Sequence, residues 1–249
     1  MSLIFTKLSE NEVLDDLQIN NLFLIQRKGL FKFGTDAVLL SDWASGIVSE
    51  ETLDLCAGSG IVPILMSAKT DIPHFCAIEI QKAAAECAKK SVIYNNLESR
   101  IEITCADLLD SVSIFGKRRF DLITCNPPYM KSNSAILNSA DSKTIARHEI
   151  TCSLEDIIRV SADLLTTKGH LCMVHRPSRL ADLIYLMRKY NIEPKRLRLV
   201  QSKANSEPIL VLIEGRYGGK SELKILPPLI LYNGDGSETE ELKRIYNRG

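Results

Sequence analysis

The sequence predicts an α/β protein built on a mostly parallel sheet of seven strands, the last of them antiparallel, with helices on both faces. Three observations carry this. Short apolar runs alternate with segments of helical period from residue 51 to residue 190, the pattern of parallel strands joined by crossover helices. Four successive β-α steps place Asp54, Glu79, Asp107 and Asn126 at or next to the C-terminal ends of their strands, the edge where such sheets bind ligands. The last two runs, Leu197–Val200 and Pro208–Glu214, are separated by a short polar loop, which makes them a hairpin and reverses the final strand.

The elements follow in order. Leu17-Gln18-Ile19 and Leu22 to Gln26 read as a hairpin about Asn20-Asn21. Ala37 to Trp43 is an amphipathic helix, with Thr35 or Asp36 as its N-cap. Strands are expected at 52–57, 75–79, 101–106, 120–125 and 170–175, and helices at 61–68 and 81–96. Ser153, with Asp156 three residues on, makes a capping box for a helix running to Thr167, which Lys168-Gly169 ends. A helix over 178–190 precedes the closing hairpin. Residues 1–50 thus form an N-terminal hairpin and helix extension packed on the core, 51–216 the central domain, and 217–249 a docked C-terminal tail.

At 249 residues, 45% hydrophobic and 25% charged, the chain has ample apolar content for a packed core. Its formal net charge is zero, so any surface that attracts nucleic acid must be local. Such a surface is expected over 194–224, where Lys195, Arg196, Arg198, Lys203, Arg216, Lys220 and Lys224 face only Glu207, Glu214 and Glu222. No stretch approaches 18 apolar residues and the N-terminus lacks a signal-peptide core, so no membrane partner is expected. The seven cysteines are odd in number, show no C-x-x-C spacing and fall mostly in apolar runs; they read as buried thiols of a cytoplasmic protein with no metal site.

Two motifs carry chemistry. Leu53-Asp54-Leu55-Cys56-Ala57 runs into Gly58-Ser59-Gly60 and then a helix, a nucleotide cradle, and Glu79, 21 residues after Gly58, is placed to accept both hydroxyls of a ribose. A dinucleotide would need a third glycine where this chain has Pro63. Asp54 beside the turn disfavours phosphate and favours a cation. S-adenosyl-L-methionine has the ribose, a positive sulfonium and no phosphate. Asp107 is placed to accept from its adenine amino group. The second motif is Asn126-Pro127-Pro128-Tyr129. The prolines pin the backbone extended and remove its N–H groups. What remains is a side-chain amide, carbonyl oxygens and a ring, a set that holds a planar amine. The segment from Met130 to Ile150 leaves directly from this motif, carries Lys131, Lys143, Arg147 and His148, and reads as a substrate loop.

These motifs resemble the Rossmann-like S-adenosylmethionine-dependent methyltransferases that methylate exocyclic or side-chain amines. Gly34-Thr35-Asp36-Ala37, Ala146-Arg147-His148-Glu149 and Leu226-Pro227-Pro228 further resemble the bacterial family that methylates adenine N6 in the anticodon loop of a valine tRNA. The resemblance implies catalytic roles for Asn126, Pro127 and Tyr129. It implies a cofactor site of Thr35, Asp54, Ala57, Gly58, Gly60, Glu79, Asp107 and Asn126. Substrate contacts would come from Pro128, Tyr129, Lys131, Lys143, Arg147 and His148, with tRNA as the partner. Two alternatives stand beside this reading: a glutamine methyltransferase of release factors, whose substrate amide would fit the same tetrapeptide, and a non-catalytic RNA-binding module.

Overall fold

The computed structural model describes residues 8–29, 33–128 and 152–248. An antiparallel ribbon of β1 (Glu12–Asp16) and β2 (Phe23–Arg27) comes first. The expected hairpin is present, but its first strand lies upstream of Leu17-Gln18-Ile19. Gln18, Asn20 and Asn21 all take positive φ, which interrupts extended strand geometry, and the Gln18 N–H donates to the Asp16 carboxylate at 2.7 Å. Residues 17–22 are therefore the turn.

The main sheet contains β3 (Glu51–Leu55), β4 (His74–Glu79), β5 (Ile101–Cys105), β6 (Phe120–Cys125), β7 (Leu165–His175), β8 (Ile192–Gln201) and β9 (Pro208–Tyr217). Their spatial order is β5-β4-β3-β6-β7-β9-β8. All run parallel except β9, which is antiparallel to both β7 and β8. The seven expected strands are present, the last reversed as the closing hairpin implied, within a sheet of nine. The tail adds two short strands to the outer side of β8, β10 (Lys224–Ile225) and β11 (Leu229–Ile230).

Helices α1 (Thr35–Ala44), α2 (Ile61–Lys69) and α3 (Lys82–Tyr94) cover one face, and α4 (Ser111–Phe115), α5 (Leu154–Leu164) and α6 (Leu180–Lys189) the other. The C-terminal α7 (Glu240–Ile245) contributes Leu242 and Ile245 to the first of these cores. The ribbon closes onto α3. The Ser91 hydroxyl accepts the Ile25 N–H at 2.8 Å, and the Asn95 amide bonds both the N–H and the carbonyl of Phe23, at 2.9 and 2.7 Å. Helix side chains thereby satisfy a strand edge that would otherwise be left unpaired.

Several boundaries differ from expectation, among them the start of β8, at Ile192 rather than Leu197. Gly34, not Thr35 or Asp36, is the N-cap of α1, and it offers no side-chain cap. The capping box of Ser153 and Asp156 is present, but α5 stops at Leu164. Leu165 pairs with Phe120 in the sheet, and the strand then bulges at Lys168, whose φ is +71°. Pairing with β6 overrides the helical spacing through Thr167. The stretch after Asp107, for which the sequence gives no clear pattern, folds as a 3-10 turn, Leu108–Asp110, leading into α4.

Candidate active site

Strand order reverses at β3, which has β4 on one side and β6 on the other. A crevice opens beyond the strand ends at such a point, and the glycine turn lies there. Cys56 leaves β3 at φ +59°, and Gly58 and Gly60 follow at +55° and +80°. The two glycines serve different ends. A side chain on Gly58 would meet nothing within 4 Å, so the backbone there faces open space. One on Gly60 would come within 3.2 Å of the Ala88 Cβ, so its absence lets α3 pack close.

Glu79, 5% exposed at the end of β4, is held by two backbone donors. The Gly58 N–H donates to Oε2 at 2.9 Å and the Gln81 N–H to Oε1 at 2.8 Å. Each oxygen keeps a second lone pair, so the carboxylate is fixed in orientation and able to accept from a pair of neighbouring hydroxyls. Asp54, 2% exposed, accepts the Thr124 hydroxyl at 2.6 Å across the β3–β6 pair. Burial pushes its carboxyl up to about 7, the Thr124 hydrogen bond opposes this, and the Glu79 charge adds to it. A cation brought into the crevice would reverse that penalty and favour the carboxylate.

Between its unfolded value of 3.8 and about 7, Asp54 binds its proton more tightly in the folded chain, so stability falls as pH rises through that window and is level above it. The upper bound is about 4 kcal/mol. Asp54→Asn should flatten the fall in melting temperature of the ligand-free protein between pH 5 and pH 8. Equal slopes for the two proteins would show that Asp54 does not titrate there.

Asp107 lies beyond β5, where its Oδ1 accepts the Leu109 N–H at 2.9 Å and caps the 3-10 turn; Oδ2 is not used in that bond. Asn126, Pro127 and Pro128 continue from β6, and Leu55 of β3 is in register with both Ile78 of β4 and Cys125 of β6. Asp54, Gly58, Gly60, Glu79, Asp107 and Asn126 therefore share one edge of four adjacent strands. Ala57 is buried within the turn, its N–H bonded to the Ile78 carbonyl at 3.1 Å. Thr35 opens α1, and its hydroxyl accepts from the Tyr246 hydroxyl at 3.3 Å. Tyr129, Lys131, Lys143, Arg147 and His148, and with them the expected 130–150 substrate loop, lie outside the described residues.

Among the described residues, no group of three or more His, Cys, Asp or Glu is placed to hold a metal ion, and no helix is long and apolar enough to cross a membrane. The seven cysteines are free thiols. His175 is buried, with Nδ1 accepting the Arg176 N–H at 2.8 Å. Burial and then the neighbouring Arg179 charge lower its pKa to about 4, so the ring is neutral.

The basic stretch 194–224 is dispersed by the fold. Arg198 makes a two-pronged ion pair with Glu241 of the tail, at 2.7 and 2.8 Å. Arg196 is bonded to the buried Glu214 and stacks 4.6 Å over the Trp43 ring. Arg196 and Glu214, with His170, Arg216 and Lys224, line a cavity of about 570 Å³ at the edge of the sheet away from Asn126. Only Lys203 of that stretch stands in the loop joining β8 to β9 at the Asn126 edge. Thr124 carries no signal of its own in the sequence, although Asp54 and Thr124 each lie one residue before the end of their strand. That equal offset becomes a contact only when β3 and β6 are known to be neighbours.

The donor set fits a ribose-bearing cation. Residues 54–60 contain no lysine or arginine, and a phosphate there would meet the Asp54 and Glu79 carboxylates. Sheet order, glycine turn and paired acids together define an S-adenosyl-L-methionine-dependent methyltransferase. The methyltransferase small domain family matches residues 28–189. A Porphyromonas gingivalis protein named tRNA1(Val) (adenine(37)-N6)-methyltransferase is 35% identical over 192 residues, covering 74% of each chain. A Bacteroides thetaiotaomicron protein of the same name is 32% identical over 201 residues, covering 79% of this chain and 81% of that one. Among solved structures, a predicted O-methyltransferase from Agrobacterium tumefaciens superposes with a TM-score of 0.67 at 21% identity, over 86% of this chain and 97% of that one, a likeness of fold. The chain belongs to the methyltransferase small domain family and, within it, to the family of the tRNA1(Val) (adenine(37)-N6)-methyltransferases.

Proposed function

We propose that this protein methylates the N6 amine of an adenine in the anticodon loop of a tRNA, with valine tRNA, for which its relatives are named, as the substrate. The carrying observation is that Asn126-Pro127-Pro128 emerges beside the glycine turn, on the edge that holds Glu79 and Asp54. S-adenosyl-L-methionine supplies an electrophilic methyl group when bound. Glu79 accepts the ribose hydroxyls, Gly58 and Gly60 leave room at the backbone, Ala57 and Thr35 border the site, Asp107 accepts from the adenine amino group, and Asp54 faces the cationic end.

The amine of adenine is a poor nucleophile, because its lone pair is delocalised into the ring. Asn126 Oδ1 and the Pro127 carbonyl accept its two N–H bonds and favour a pyramidal nitrogen. Tyr129 stacks on the base and Pro128 borders it; stacking of this kind contributes about 1–3 kcal/mol. A loop base leaves its stack more readily than a paired one. The methylated nitrogen is strongly acidic and gives its proton to water, so no dedicated base is needed. Lys131, Lys143, Arg147 and His148 are the loop contacts to RNA. Residues 51–216 would carry the chemistry, with 1–50 and 217–249 as packed additions, in a cytoplasmic protein.

The test offers two substrates side by side, tRNA and a release factor, with methyl-labelled cofactor. Mass spectrometry of digested nucleosides should find labelled N6-methyladenosine in the tRNA. Label in a glutamine of the release factor and none in tRNA would overturn the reading in favour of a protein methyltransferase. Cofactor binding without transfer to either would leave a binding module.

A further inference from the structure

We infer that Arg176, Arg179 and Lys203 form a cationic rim that holds backbone phosphates of the RNA flanking the target adenine. This rests on the RNA reading above; Arg176 and Arg179 carry no role in it, and Lys203 is the member of the expected basic stretch that stands at this edge.

The register places all three on the catalytic edge. Cys125 of β6 is level with Met173 of β7, so Arg176 emerges just past the strand end, beside Asn126-Pro127. His175 is level with Val211 of β9, and Gln201 of β8 with Pro208, so loop 202–207 rises from the same edge. From β6 to β8 is three strand spacings, about 14 Å, a span that several nucleotides of single strand would cross.

Local structure holds the three cations near that edge. Pro177–Arg179 is a 3-10 turn, closed by the Arg179 N–H on the Arg176 carbonyl at 3.1 Å. The turn keeps the two arginines close together, and the charges of both act on the buried His175 ring at the end of β7. Arg176 Nη1 donates to the Ile209 carbonyl at 3.3 Å, which ties the guanidinium toward β9 and toward the Lys203 loop. Arg179 pairs with Asp182 at 2.7 Å, with both side chains about half exposed. An ion pair that exposed contributes little and exchanges readily for a phosphate. Arg179 is also the N-cap of α6, where the helix N–H groups add positive potential. Lys203 sits in a built turn: its N–H donates to the Ser206 hydroxyl at 3.0 Å, and Gln201 Nε2 bonds the Ser206 carbonyl at 2.8 Å. One exposed carboxylate, Glu207, opposes the cations from the same loop.

The triple variant R176A/R179A/K203A tests this. Its KM for tRNA should rise at least tenfold, with the loss appearing in KM rather than in kcat. The slope of log affinity against log salt should flatten by about 2, since each phosphate contact on a single strand contributes about 0.7. Calorimetric affinity for S-adenosyl-L-methionine should match wild type, which also reports an intact fold. Glu207→Gln, which removes the opposing charge, should tighten RNA binding several-fold. Wild-type methylation of tRNA with no change of KM or salt slope in the triple variant would overturn the rim alone. A wild-type protein that labels a release factor and not tRNA would overturn the RNA reading, and the rim with it.

Discussion

Asn126→Ala should lower kcat for methyl transfer by about 10²–10³-fold, the range found when one preorganised polar partner of a transition state is removed. The dissociation constant of S-adenosyl-L-methionine should stay within a few-fold. The asymmetry comes from position. In the proposed site the cofactor's ribose would fall to Glu79 on β4, whereas Asn126 follows β6 on the far side of β3. What the variant loses is an acceptor for the substrate amine. The amine then keeps its lone pair in the ring, and the nitrogen no longer presents it to the methyl group. Pro127 and Pro128 hold the backbone extended whether or not residue 126 is asparagine, so the loss should come without loss of fold. Single-turnover measurements with tRNA check this directly. Near wild-type turnover in the variant would mean that the amine is not held by this tetrapeptide, whatever binds the cofactor.

Glu79→Ala should weaken S-adenosyl-L-methionine binding by roughly ten- to hundredfold, since a hydrogen bond to a charged acceptor contributes about 1.5–3 kcal/mol. The carboxylate also organises the glycine turn. Without it the Gly58 and Gln81 N–H groups lose their partners, and the turn loses its tie to β4. Glu79→Gln separates the two effects. Glutamine keeps the size and one oxygen acceptor, so it should hold much of the turn while losing the charge and one hydroxyl contact. Calorimetry should therefore rank wild type above Glu79→Gln and Glu79→Ala last, with thermal unfolding of the ligand-free proteins affected most in the alanine variant. Unchanged affinity in both variants would remove Glu79 from the cofactor site.

Much of the site is legible in the amino-acid sequence because its logic is local and periodic. An apolar run of five or six residues is a strand, and in a parallel sheet every such strand ends on the same edge. Glu79, Asp107 and Asn126 follow their runs directly, and the glycine turn follows Asp54 by four residues. Their meeting needs only the direction of the strands, which the intervening helices impose. Capping is local as well, and the box at Ser153 and Asp156 forms as its spacing implies. Where a local signal meets a longer-range partner, the partner prevails. Leu165 to Thr167 continue a helical pattern, yet the chain turns into β7 there, and Leu165, fully buried, pairs with Phe120 of β6.

The sequence by itself determined the α/β alternation, the reversed final strand, the glycine turn and the set of polar residues at strand ends, since each depends on residues a few positions apart. Only the tertiary structure decided which strands are neighbours, and so which polar groups touch. Thr124 meets Asp54 across 70 residues, and Tyr246 reaches Thr35 across 211. It also decided which charges remain at the edge where Asn126 lies. Arg196 and Arg198 belong to a basic run in the sequence, but they are drawn into ion pairs with Glu214 and Glu241, 18 and 43 residues away. Arg176 and Arg179, unremarkable in the sequence, follow the end of β7 at the edge where Asn126 leaves β6. A charge count along the chain cannot distinguish these cases, because what a charge faces depends on the strand packed next to it.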